Sequence, residues 1–272
     1  MFVVAKHKRL WNASVYQQYL REGRGQGVGA EYVPWIRIQD FSSSGMVSRV
    51  KGTKTGRIHH FMSNLELMFF FLLDWSDEVL DIREQYPLID LRSAVEIAEK
   101  AQIRYPYDRK SGFPYVMTSD FFIDTINGLS VITIKPSADL SKLRVREKLE
   151  IERRYWGSLN VRWRVVTENQ INRTKAKNIE WLSQAKDLGQ FGLSDEARRI
   201  CIAYFMSRYV DDTDSLGGLI CDIERALSLP PGMGLNIYKH LAYWKRIAFN
   251  VYDEVEYLNF IEKSRWQTVR GA

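Results

Sequence analysis

The sequence predicts a mixed α/β domain over residues 1–168 and a mainly helical domain over residues 169–272. Three observations carry that division. Asn127-Gly128 lies between two apolar runs, the strongest short signal of a β-hairpin. Ser63-Asn64-Leu65-Glu66 is a capping box opening an apolar run to about Trp75, which marks a helix start. Near residue 168 strand-like segments give way to successive helical stretches.

The first half is read in order as follows. Residues 21–29, REGRGQGVG, form a glycine-rich loop able to approach a phosphate backbone, with Arg21 and Arg24 as its cations. It lacks the Gly-Lys-Ser/Thr of a P-loop. Residues 51–57, KGTKTGR, offer Lys51, Lys54 and Arg57 as a second set of phosphate contacts. His59 and His60 are adjacent and point apart, so they read as structural or substrate-contacting residues, not a chelating pair. Glu66 has two readings, a carboxylate bonding back to its own helix start or an acidic ligand carried on that helix. VLDIREQYPLIDL (79–91) reads as a strand, with Pro87 suited to an edge or bulge. Residues 92–117 read as irregular. After the hairpin, Lys142 to Trp156 forms a charged helix whose apolar residues fit one side imperfectly, and VRWRVVT (161–167) is a further strand.

In the second half, helices are expected over 171–182, 195–209, 216–229 and 235–246, with Pro230-Pro231-Gly232 as a break. IAFNVYDEVEYLNF (247–260) carries strand formers with a turn near Tyr252-Asp253. Helices followed by a small hairpin suggest a winged-helix-like module, which binds DNA or other proteins.

The hairpin stretch, TSDFFIDTINGLSVITIKP (118–136), carries the chemistry. If Asn127 and Gly128 form the loop, Ile126 faces Leu129, Phe122 faces Thr133 and Asp120 faces Lys135. A carboxylate and an ammonium then stand together at its open end. They fit a cross-strand ion pair. That is the commoner arrangement, and the sharper reading is a metal-dependent nuclease site, where the aspartate binds magnesium and the lysine orients or polarises water.

Charge and composition narrow the partners. The net charge of +6 is unevenly spread: ten Lys/Arg against three Asp/Glu in residues 1–62, six against twelve in 63–125, and twelve against six in 126–180. Basic segments flanking an acidic one suit a polyanion with a cation between. Residues 181–272 are near neutral, which argues against DNA as that half's sole partner. No run of about 18 apolar residues exists, so no membrane span is expected. MFVVAKHKRL carries its charges behind an apolar tip, the reverse of a secretory signal. Cys201 and Cys221 make neither a disulfide framework nor a cysteine-rich metal site, and a reducing cytoplasm is the expected setting.

Several segments together resemble the TnsA endonuclease subunit of heteromeric cut-and-paste transposons. They are REGRGQG, YVPW (32–35), TGRIHHFMSNLEL (55–67), VLDIREQYPL (79–88), MTSDF (117–121), IKP (134–136), EKLEIERRYW (147–156) and NIEWL (178–182), with LNIYK (235–239) beyond them. The resemblance implies a restriction-endonuclease-like N-terminal domain. It implies Glu66, Asp120 and Lys135 as the catalytic set, Glu66 and Asp120 as ligands of magnesium, and manganese able to substitute. Where related nucleases commonly carry Glu and TnsA proteins can carry Gln, this chain has Thr133. Its hydroxyl is a shorter, weaker ligand, the Ile134 carbonyl is a further oxygen, and the number of ions stays open. The implied partners are transposon-end duplex DNA, a TnsB-like transposase and a TnsC-like ATPase regulator. Two rivals stand beside this reading, a nuclease acting alone and a non-cleaving adaptor.

Overall fold

Asn12 accepts the Val15 amide hydrogen through its side chain and starts α1, Ala13–Arg21. In the computed structural model, which describes residues 10–40, 47–211 and 216–254, the chain divides into two compact units, residues 1–172 and 173–272. In the first unit, β1 (Ser48–Lys51) and β2 (Ile58–Phe61) pair antiparallel as a small ribbon. The Ser63 hydroxyl then accepts the Glu66 amide hydrogen and opens α2, Asn64–Asp74.

A four-stranded sheet forms the centre of this unit. Its strands are β3 (Val79–Pro87), β4 (Thr118–Thr125), β5 (Gly128–Ile134) and β6 (Arg162–Val166), in that spatial order. Between β3 and β4 lies α3, Leu91–Lys100, a helix within the stretch expected to be irregular. Asp90 caps it, and its stripe of Leu91, Ala94, Val95 and Ala98 depends on small alanines that carry little hydrophobic signal. Neighbours are antiparallel except β6, which runs parallel to β5. A parallel pair needs a crossover, and α4, Leu143–Ser158, supplies it. Phe121 meets Phe61 and Phe69 on the α2 side, while its neighbour Phe122 packs on Tyr86 and Trp156 on the α4 side.

The hairpin register differs from expectation by two residues. Thr125 pairs with Gly128 and Phe121 with Ile132, so Ile126 and Asn127 form the turn. Phe122 therefore faces Val131, not Thr133, and Asp120 is no longer directly opposite Lys135. Gly128 uses its positive φ of 101° where the chain leaves the turn, and the Thr125 hydroxyl closes the loop on the Gly128 carbonyl. A shift of two preserves the faces, because side chains alternate with period 2.

The second unit consists of α5 (Arg173–Ser183), α6 (Asp195–Asp211), α7 (Leu216–Ala226) and α8 (Met233–Tyr243), with Leu182, Leu219, Ile223, Ile237 and Leu241 in its core. Among the described residues it contains no strand. Up to Glu254 the hairpin expected over 247–260 does not form, and residues 255–260 lie outside the described residues. The Asn178 amide instead donates to the Val251 and Asp253 carbonyls and pins this segment to α5.

Candidate active site

Asp120 lies on β4 and Lys135 immediately follows β5, where its amide donates to the Val166 carbonyl of β6. The two side chains meet despite the changed register. Lys135 Nζ is 3.0 Å from Asp120 Oδ2 and 2.7 Å from the Ile134 carbonyl oxygen. The Ile134 amide donates to the same Asp120 oxygen at 2.6 Å. Both residues are buried, so this is not a solvated pair at a sheet edge.

Glu66 approaches them from α2, where its carboxylate bonds back to the start of its own helix. One carboxylate oxygen accepts from the Ser63 hydroxyl at 2.9 Å and the other from the Met62 amide at 3.0 Å. Burial, and then the charge of Asp120, push its carboxyl up to about 7. The capping bonds hold a second carboxylate close enough to Asp120 for their charges to repel, a repulsion that a divalent cation would relieve.

A backbone reversal helps to build the site. Gln85 has φ of 49°, in the left-handed region. Strict alternation would put Glu84 and Tyr86 on one face. Instead Glu84 bonds Arg57 and His59 on one side, and Tyr86 stacks on Phe122 on the other. The Gln85 amide lies 3.4 Å from Glu66, and its carbonyl accepts from the Thr118 hydroxyl. Strain of this kind gathers at functional sites.

Thr133 is turned toward α4 rather than held open as a ligand. Its hydroxyl donates to Glu152 at 2.5 Å and accepts from the Trp163 indole at 3.2 Å. Glu152 is fully buried, also accepts from the Ser119 hydroxyl at 2.9 Å, and keeps one oxygen, Oε1, without a hydrogen-bond partner. Burial pushes its carboxyl up to about 7, against the pull of Lys135. An acid carried on a helix thus bonds the side chain at position 133. Glu152 lies within EKLEIERRYW, where spacing alone gives it no role. The signal was the imperfect stripe of α4, whose buried face is Lys148, Leu149, Ile151, Glu152, Tyr155 and Trp156.

The donor set suits magnesium. Asp120, Glu66 and the Ile134 carbonyl are hard oxygens, and the hydrogen bonds to Asp120 fall on Oδ2 alone. Among the described residues no three His, Cys, Asp or Glu side chains form a ready-made metal cage. Magnesium commonly binds through one or two carboxylates, waters and substrate phosphates.

The expected phosphate contacts fare unequally. Arg24 is buried over the Tyr19 ring and bonds Glu22, Asp40 and the Trp35 carbonyl. Its loop is packed rather than flexible: a Cβ on Gly25 would lie 2.3 Å from Pro87 Cγ, and the Gly29 amide donates to Asp81. Arg57 forms two bonds to Glu84 and one to the Ile82 carbonyl. Both guanidiniums serve the interior, correcting their assignment to DNA. Arg21 and Lys51 are exposed and Lys54 is half-buried. His59 is structural, bridging Thr55 and Glu84.

Comparison with known proteins finds relatives of both units. Residues 76–168 match the family described as TnsA-like endonuclease N terminal, and residues 170–251 match TnsA endonuclease C terminal. The chain is 44% identical over 170 residues to the Transposon Tn7 transposition protein TnsA of Escherichia coli, covering 61% of this chain and 61% of that protein. Among the described residues no helix is long and apolar enough to cross a membrane.

Proposed function

Because the chain belongs to the TnsA endonuclease family, we propose that it is the subunit of a heteromeric transposase that cuts the 5′ strand at each transposon end. The observation that carries this reading is the buried Asp120–Lys135 contact at 3.0 Å, with Glu66 held against it by α2. A helix bearing an acid, a hairpin bearing aspartate and lysine, and a crossover helix support a restriction-endonuclease-like fold for this unit.

Magnesium, with manganese as a substitute, supplies the positive charge that activates water and stabilises the leaving oxygen. Glu66 and Asp120 hold it, with the Ile134 carbonyl as a further oxygen. The Thr133 hydroxyl acts through Glu152, which it fixes in place. Burial alone would lower the pKa of Lys135, but Asp120, Glu152 and Glu66 more than offset this and raise it. The side chain therefore stays an ammonium, and it orients and polarises the attacking water instead of deprotonating it. Arg21, Lys51 and Lys54 provide backbone contacts that position the duplex without reading its sequence. A TnsB-like transposase cuts the other strand and supplies sequence recognition. The helical second unit docks a TnsC-like ATPase regulator. The setting is the cytoplasm.

The test maps both strands of a transposon end after incubation with the partner transposase, regulator and magnesium. Asp120→Ala is expected to lose the 5′-strand cut alone. A mutant that cuts like wild type reduces Asp120–Lys135 to an ion pair and makes the chain an adaptor. Equal cutting by the isolated wild-type chain makes it a stand-alone nuclease.

A further inference from the structure

Lys148 is a second buried lysine at the candidate site, and the chemistry just described does not use it. It lies on the inward face of α4, one helical turn before Glu152, and only 9% of it is exposed. Residues four apart share a helix face, so its stem runs beside the carboxylate bonded to Thr133. It is close enough to Lys135 and Arg144 for their charges to oppose its own. Burial above all, then the charges of Arg144 and Lys135, bring its pKa down to about 8, against the pull of Glu152.

The cost of placing this cation is plain. A buried ammonium is disfavoured, and a second ammonium nearby adds repulsion. A surface role would need only the exposed positions that α4 offers at Arg144 and Arg146. The formal charges suggest what offsets the cost. Glu66, Asp120 and Glu152 against Lys135 and Lys148 leave one negative charge, and a divalent cation turns this into one positive charge. A phosphodiester then makes the site neutral. Without Lys148, the same three acids and cation would confront the phosphate with no charge to spare.

We infer that Lys148 binds a backbone phosphate oxygen of the DNA strand that is cut, at or next to the scissile bond, with Arg144 continuing the track toward solvent. This rests on the endonuclease reading. It also moves the DNA path from the glycine-rich loop, where Arg24 is consumed internally, to the N-terminal half of α4.

The experiment uses the full chain and a transposon-end duplex in which single phosphates around the cut are replaced by neutral methylphosphonates. Binding of the chain is measured in calcium and 5′-strand cutting in magnesium, both on ends already holding the partner transposase and regulator, which fix the register. One methylphosphonate is expected to weaken wild-type binding about tenfold, the scale of one charged hydrogen bond. Lys148→Gln is expected to lose the same factor on native DNA and nothing more on that modified duplex, while Lys148→Arg recovers most of it. Lys148→Met, which keeps the stem without the charge, serves if Lys148→Gln does not fold. Wild-type binding by both neutral variants, or losses that multiply at every modified phosphate, overturns the inference. Since the calcium readout involves no cleavage, it stands even if Asp120→Ala cuts like wild type and the endonuclease reading fails.

Discussion

Glu66 and Glu152 sit near pH 7 because burial outweighs the hydrogen bonds each accepts. A carboxyl raised in the folded state destabilises the fold as pH rises from its unfolded value of 4.5 through about 7. The metal-free protein is therefore expected to lose stability over that window and to regain it with magnesium. Thermal melts at pH 8 should place Glu66→Gln above wild type by about 2–8 °C, with the difference gone at pH 4 and the response to magnesium reduced. A wild-type melt that is flat with pH would sink this. Glu84 behaves in the opposite sense. Burial would raise it, but His59 and Arg57 hold it at about 2. Its contribution is present above pH 4.5 and is lost as pH falls toward 2. Glu84→Gln is expected to cost about 3–5 kcal/mol by leaving Arg57 buried without its counter-charge, which denaturant titration would measure. At this scale the residue types were legible where chemistry is local. The Ser63–Glu66 box could be read from spacing, and alternation put Asp120 and Lys135 on one face although their register was off by two, whereas Glu152 reaches Thr133 across 19 residues and two elements.

Elements were easier to foresee than their registers. α2, β3 and the β4–β5 hairpin announce themselves through capping and alternation, yet the turn began one residue before the Asn-Gly pair suggested. Glycine can use positive φ inside a turn or at its exit, and the local sequence does not say which. α3 went unseen because two of its inward positions are alanines. Its composition marks residues 21–29 as a phosphate-binding loop, although Gly25 answers to packing against β3. Two substitutions separate these uses. Gly128→Ala meets nothing within 4 Å and is burdened only by its φ of +101°. Gly25→Ala combines φ of +73° with a Cβ 2.3 Å from Pro87 Cγ, a ring that cannot swing aside. The first should cost roughly 1 kcal/mol, and the second clearly more. Because Pro87 closes the strand that carries Gln85, Gly25→Ala should also reduce cutting in the folded fraction. Equal stability losses would show that the loop is free to move.

For the molecule as a whole, the division of labour follows from where the acids and lysines fall. Glu66, Asp120, Lys135, Lys148 and Glu152 all lie within residues 1–172. This unit owns a complete four-stranded sheet, its crossover helix and the core formed by Leu88, Phe122, Val131, Ile151 and Trp156. Among the described residues, every strand of the sheet and every side chain of the candidate site lies within this unit. A chain ending at Asn172 is therefore expected to unfold cooperatively and to keep both the loss of stability toward pH 8 and its recovery with magnesium. The same chain should fail to support 5′-strand cutting in the assembled transposase, because the docking proposed for the regulator falls on the second unit. Calorimetry with and without magnesium checks the first half, and strand mapping checks the second. A truncated chain without cooperative unfolding would mean that the site needs the helical unit to form. Full cutting by a folded truncation would remove the docking role. The near-neutral charge of residues 181–272 already points toward a protein partner there, and these two measurements separate a unit that assembles the complex from one that completes the fold.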